Sequence, residues 1–312
     1  MMLALLLAAL PMILWDQGPE TAATLKQNGI QQVMVPAERL QAWKASGLVV
    51  RGITTAEWSA LEEALAPGVD RQVQVASATR SPYLIANGWR FIKNRSAKYR
   101  YSLPAGKAAL AAAESYAYGA DTTLQVEIAD VESVGKMLAF LSSLPTSDLP
   151  GLADLAVVDN QHALVEEVMN LLARRNLLFA AVTAPDSRYP INIRIGSKEY
   201  SEEDASDPNA FALKIRRQLT DERRSVRLYG SETVLCRLTG DDTRIRLHLL
   251  NYRGGKVDGL RIRLRGAFRK GQARSDQIGE IPLENFAVSD SATEFSIPVM
   301  NLYAAIDLQR DK

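Results

Sequence analysis

Cysteine and histidine are nearly missing from this chain. A single cysteine, Cys236, excludes an intrachain disulfide and any cysteine-based zinc cluster. Two histidines, His162 and His248, leave too little material for a histidine-rich metal site. No P-loop, no H-E-x-x-H, no G-x-S-x-G and no strand-borne G-x-G-x-x-G occurs, so neither metal nor cofactor is expected. A charge excess is missing too. The 37 Lys and Arg against 36 Asp and Glu leave a net charge of +1, too little for a general polyanion binder, and nucleic acid is not an expected partner. Nor is there an apolar run of membrane-spanning length. Residues 1–15 carry no charge, but they fall short of the roughly 20 residues a spanning helix needs, so no stable membrane span is expected. Their length matches the apolar core of an export signal, although no Lys or Arg precedes it and no small-x-small cleavage site follows. Two readings stand: an export segment at 1–11 with a first strand at 12–15, giving a periplasmic or extracellular protein, or a wholly buried N-terminal segment.

What is present is 47% hydrophobic residues in 312, enough for two or three packed domains. From residue 12 to about 148 short apolar strands alternate with amphipathic helices. Strands are expected at 12–15, at 31–36, at 48–53, at 73–76 and at 122–128. Helices are expected at 19–28, at 37–46, around Trp58, Leu61 and Leu65 behind a Thr54 or Thr55 cap, at 105–119 and at 131–144. Such alternation predicts a parallel sheet with crossover helices, a partial or divergent β/α barrel-like body. The rhythm breaks at 81–104, an aromatic and basic stretch that reads as two extended pieces around 89–92 and 99–103. The segment 146–152 is the best boundary. Beyond it, 149–224 continues in α/β style with an acidic loop at 199–209 and a helix capped by Asp207. From Ser225 the period changes to two. Ile245, Leu247 and Leu249 alternate with Arg244, Arg246 and His248, and Leu260, Ile262 and Leu264 alternate with Arg261, Arg263 and Arg265. Several such strands with Gly-rich turns and no helix predict a C-terminal antiparallel β-sandwich over 225–312. If the two strands paired, their five arginines would share one outer face.

In a parallel α/β sheet, ligands meet the carboxyl ends of the strands. Three carboxylates stand there: Asp16, Glu127 and Asp159. Glu127 and Asp16 are the candidate catalytic pair, because hydrolysis of a glycosidic bond needs one carboxyl group to protonate the leaving oxygen and a second to attack or to activate water. Each also has a plainer role open to it. Asp16 and Asp159 can cap helices, while Asp130 is better placed than Glu127 to cap the helix that follows. Trp89 and Tyr99, with Asn87, Arg90 and Asp159, are the candidate substrate-binding set, since sugars stack on aromatic faces and hydrogen-bond through their rims. Alternatively the two rings only cover the open side of the sheet.

The runs MNLLARRNLLFAAV, RLYGSETVLCRLTGDDTRIRLHLLNY and TEFSIPVMNLYAAIDL resemble the rear half of large bacterial glycoside hydrolases, the family 42-like β-galactosidases. That resemblance implies a catalytic barrel, then an amidotransferase-like α/β unit, then a small β-sandwich, with carbohydrate as partner. Residues 12–148 correspond to a shortened barrel, and no cysteine nucleophile lies in 149–224. An exported, glycoside hydrolase-like protein acting on or binding carbohydrate is expected. The alternative is a non-catalytic carbohydrate-binding or assembly module, whose Ala-rich helix and sandwich face would serve homo-oligomer contacts.

Overall fold

The computed structural model describes residues 10–70, 82–289 and 291–310. The strand expected at 73–76 and the apolar stretch 1–9 lie outside them. The chain forms two compact units, one of residues 1–68 with 94–148 and one of residues 69–93 with 149–312. Thus part of the aromatic-basic stretch belongs with the second unit.

The first unit contains β1 (Met12–Leu14), β2 (Gln32–Pro36), β3 (Val49–Ile53) and β4 (Glu62–Ala64). A short β5 (Gly68–Asp70) and β6 (Tyr83–Ile85), which but for Gly68 belong to the second unit, form a two-stranded sheet, and β7 (Lys98–Ser102) and β8 (Asp121–Gln125) return to the first. Six strands make one sheet in the order β3-β2-β1-β8-β7-β4, every pair parallel. Read as a circle, that order is β1-β2-β3-β4-β7-β8, the chain order of a β/α barrel left open between β3 and β4. The barrel-like expectation therefore holds. Apolar residues on both faces explain it: Ile13, Leu14, Trp15, Val33, Val35 and Leu124 are all buried.

The covering helices are α1 (Ala22–Gln27), α2 (Thr55–Ala60) and, past the short α3 (Gly88–Lys93) of the second unit, α4 (Ala108–Tyr118) and α5 (Val131–Ser143). In α5, Val134, Met137 and Leu141 form the buried stripe. Gly135 lets α5 approach the end of α1, since a Cβ there would strike the Asn28 carbonyl oxygen. The Ala-rich α4 is buried almost throughout and stops at Gly119, whose φ of 62° is left-handed. Its one carboxylate, Glu114, accepts the Tyr101 hydroxyl at 2.8 Å.

Three local expectations fail here. The helix expected at 37–46 is a 3₁₀ turn at Ala37–Arg39 followed by turns, because only Trp43 is buried there and no apolar stripe exists. The helix behind Thr54 keeps its capping box with Glu57 but ends at Ala60, where Glu62–Ala64 turns extended to pair with β7. Residues 88–93 are helix α3, not strand: Gly88 with Phe91 and Trp89 with Ile92 put buried positions three apart.

In the second unit, β9 (Leu155–Val158), β10 (Phe179–Val182) and β11 (Asn192–Ile193) form a parallel sheet in the order β10-β9-β11. Around it run α6 (Val165–Arg174), α7 (Glu202–Ser206) and α8 (Pro208–Arg223). The acidic stretch expected as a loop holds α7, capped by Ser201, with Glu202, Glu203 and Asp204 facing the positive end of the helix dipole. Asp207 caps α8 by accepting from Asn209 and Ala210. Thr220, at φ 57°, breaks that helix.

The sandwich pairs β12 (Val226–Tyr229), β15 (Val257–Arg265), β19 (Ala292–Met300) and β18 (Glu284–Val288) in one antiparallel sheet. The other sheet is β13 (Val234–Gly240), β14 (Arg244–Asn251), β20 (Tyr303–Arg310), β16 (Phe268–Ser275) and β17 (Gly279–Ile281). Ile245, Leu247, Leu249, Leu260, Ile262 and Leu264 all enter its core, as their alternation predicts. The shared arginine face does not form, because β14 and β15 lie in different sheets. Arg246 is buried against Asp307 at 2.6 Å, and Arg261 and Arg263 pair with Glu294. The sandwich is also tied to the preceding residues. Asp154 accepts from the Ser225 backbone and hydroxyl, Asn176 bonds Val234 and Cys236, and Leu178 joins the sandwich core.

Candidate functional site

Parallel pairing aligns the strand ends of the first unit, so the residues leaving β1 and β8 emerge side by side. The last paired residues are Leu14 and Gln125. Two residues further along each strand stand Asp16 and Glu127, both exposed. The register of that last pair puts both acids just beyond the same edge of the sheet, on neighbouring strands.

Neither carboxylate caps a helix. Gly18, not Asp16, stands at the start of the 3₁₀ turn, and Glu127 precedes its own turn with no side-chain cap bond. Asp16 accepts Gln17 Nε2 at 3.1 Å, and its backbone carbonyl accepts from Arg39. Glu57, in the helix behind β3, is engaged differently: it accepts the Thr54 backbone and hydroxyl, and those bonds hold its carboxyl below the usual range.

Asp130 departs from its expected role. It does not cap α5. Its carboxylate, 4% exposed, turns to the start of α4 and accepts the backbone N–H groups of Gly106, Lys107 and Ala108 at 2.8–3.3 Å. That ties the Glu127 loop to the loop leaving β7. The sequence shows only an acid three residues past Glu127, and nothing local signals a target 22 to 24 residues away.

The candidate binding residues are dispersed between the two units. Tyr99 belongs to the first and is 2% exposed, with its hydroxyl on the Asn94 carbonyl at 2.9 Å. Trp89 belongs to the second and is 5% exposed, with the Arg90 guanidinium 4.3 Å from its ring centre. A covered ring offers no face for a sugar, so both work here as packing residues. Asn87 is buried too, and its carbonyl receives the first bonds of α3. Asp159 accepts from Gln161 and stands 3.7 Å from Lys93, which donates to Glu166 at 2.6 Å. The Glu166 bond first, and then the charges of Glu166 and Asp159, raise the Lys93 pKa against its partial burial. Cys236 is buried, and burial pushes its thiol up to about 12, which makes it inert as a nucleophile. Among the described residues no three His, Cys, Asp or Glu side chains gather as a metal site would require, and no helix is long and apolar enough to cross a membrane.

No protein-family model matches this sequence, and no curated protein is similar to it in sequence. Solved structures are similar in fold. α-L-Fucosidase isoenzyme 2 from Paenibacillus thiaminolyticus aligns over 93% of this chain and 71% of its own, at a TM-score of 0.57 and 11% identity. A GH42 β-galactosidase from G. stearothermophilus aligns over 96% of this chain at a TM-score of 0.38 and 9% identity, and the chain spans only 60% of its length. The architecture, a barrel-like parallel sheet followed by an antiparallel sandwich, is thus one that glycoside hydrolases use. At such identities the likeness is one of fold.

Proposed function

We propose that the protein acts on or binds carbohydrate at the carboxyl edge of the six-stranded sheet, with Asp16 and Glu127 as its working carboxylates. One observation carries this: two exposed acids, neither engaged as a helix cap, leave adjacent parallel strands in register. The fold shared with a fucosidase supports it. Hydrolysis with retention needs two carboxyl groups roughly 5–5.5 Å apart, and neighbouring strand ends are the proposed source of such a pair. In the retaining reaction one carboxyl group protonates the glycosidic oxygen as the bond to the anomeric carbon breaks. The other carboxylate bonds to that carbon, and water, deprotonated by the first group, later releases the sugar.

A panel of aryl glycosides tests this. Turnover that falls by about 10²-fold or more in Glu127→Gln and in Asp16→Asn supports catalysis. No turnover with any glycoside, and no effect of either change on glycan binding, refutes the assignment.

The burial of Trp89 and Tyr99 favours a second reading, a binding or assembly module that keeps the fold without hydrolysis, because neither ring is open to a substrate. Glycan-array binding without turnover would support it. Export is part of the proposal as well. Met12–Leu14 pairs on both sides within the sheet, so a processed N-terminus falls before Met12. N-terminal sequencing of secreted protein checks that.

A further inference from the structure

The second unit holds a cavity of about 380 Å³ that the carbohydrate proposal does not use. Its walls come from β6, α6, the start of α8 and β12, and its chemistry is one-sided. Arg174, Arg175, Arg216, Arg224 and Arg227 all line it, against one lining acid, Glu232. Asp221 lies alongside, 3.0 Å from Arg227 and 3.7 Å from Arg224. Arg175 donates to the neutral Asn209 side chain at 2.7 Å, and neither Arg175 nor Arg216 has an ion pair among the described residues. Arg224 is 5% exposed. The Nε atoms of Arg174 and Arg224 are buried without a hydrogen-bond partner.

Gathering guanidinium groups around a hollow is costly unless something negative enters it. The like charges already act on each other. Burial first, then Arg216, lowers the Arg224 pKa, and burial with Arg175 does the same to Arg174. The rest of the lining mixes apolar and polar side chains and carries two rings: Tyr83, over which Arg174 lies at 4.3 Å, and Tyr229, flanked by Arg227 and Arg261. Guanidinium forks match the paired oxygens of phosphate and carboxylate, and a flat ring suits the tyrosine faces. The volume lies within the range of small-molecule sites.

We propose that this cleft is an anion-binding site for a small ligand that carries at least two negative charges on or beside a ring. The charges bind the arginines, and the ring lies against Tyr83 and Tyr229. Phosphate esters and polyuronic sugars share that chemistry. The site is independent of Asp16 and Glu127, so it stands or falls apart from the carbohydrate assignment.

Isothermal titration of the full chain with pyrophosphate, ADP and digalacturonate tests it. At least one should bind with a Kd below about 1 mM at low salt. Binding should weaken about tenfold or more in Arg216→Glu, whose side chain is exposed and tolerates change, and in Arg175→Ala. Glu127→Gln should leave it unchanged. A response to ADP and pyrophosphate alone assigns phosphate as the recognised group, and a response to digalacturonate alone assigns carboxylate on a sugar. The proposal is overturned if none of the three binds, or if both arginine variants bind as the parent does while melting at its temperature.

Discussion

Removing the carboxylate of Asp130 tests how the edge that carries Glu127 is held. Its two oxygens receive Gly106 N–H at 2.8 and 2.9 Å, Lys107 N–H at 3.2 Å and Ala108 N–H at 3.3 Å, at the first turn of α4. Asp130→Ala deletes what amounts to a helix cap, worth about 1 kcal/mol. It also strands the Ala108 N–H, which belongs to a fully buried residue, at about 1–3 kcal/mol more. Gly106 is exposed and can turn to water. The sum is a loss of about 2–4 kcal/mol from the first unit, and Asp130→Asn, which keeps one accepting oxygen, should lose roughly half of that. Urea unfolding followed by tryptophan fluorescence reads it, because Trp15, Trp43 and Trp58 all lie in this unit. If Asp130→Ala unfolds within about 0.5 kcal/mol of the parent, the cross-loop cap contributes little and the reasoning is refuted.

Two further changes probe the sandwich. His248 is buried, its ring between the Tyr303 hydroxyl at 2.7 Å and Thr239 at 3.4 Å, and burial followed by Arg246 and Arg237 lowers its pKa well below 6.5. The unfolded chain binds a proton near that value and the folded chain does not, so this residue makes stability fall as pH drops below about 6.5. The stability difference between the parent and His248→Gln should therefore shrink by roughly 1 kcal/mol between about pH 6.5 and pH 5.5, and a difference independent of pH would contradict the assignment. Gly271 sits on β16 where the register with β20 shifts, and a Cβ there would collide with the Asp307 backbone oxygen. Gly271→Ala should cost about 2 kcal/mol or more in thermal or urea unfolding, and a variant as stable as the parent would show that the two strands can part.

The two sites differ in how far the chain's local pattern exposes them. Asp16 and Glu127 were legible because each directly follows a short apolar strand, and parallel pairing puts strand ends on one edge. The arginine cleft was not. Arg174 and Arg175 end α6, Arg216 lies within α8, and Arg224 and Arg227 flank the start of β12. Their meeting depends on packing across more than 50 residues, which no local pattern encodes. The aromatic stretch misled for a related reason. A short run such as Trp89–Ile92 satisfies helix and strand alike until its neighbours decide, and the buried environment that made it helical also closed the rings to ligand.

The sequence by itself determined the alternation that builds the parallel sheet and the inward side of each sandwich strand, because both follow from backbone periods of 3.6 and two. It did not determine which strands become neighbours. Long-range pairing separated β14 from β15, broke up the expected arginine face and paired Arg246 with Asp307 instead. The same packing gathered other arginines, scattered along the chain, around one cavity. Hydrogen bonds between distant strands and burial against distant helices are properties of the folded chain, and they decided where its charges meet.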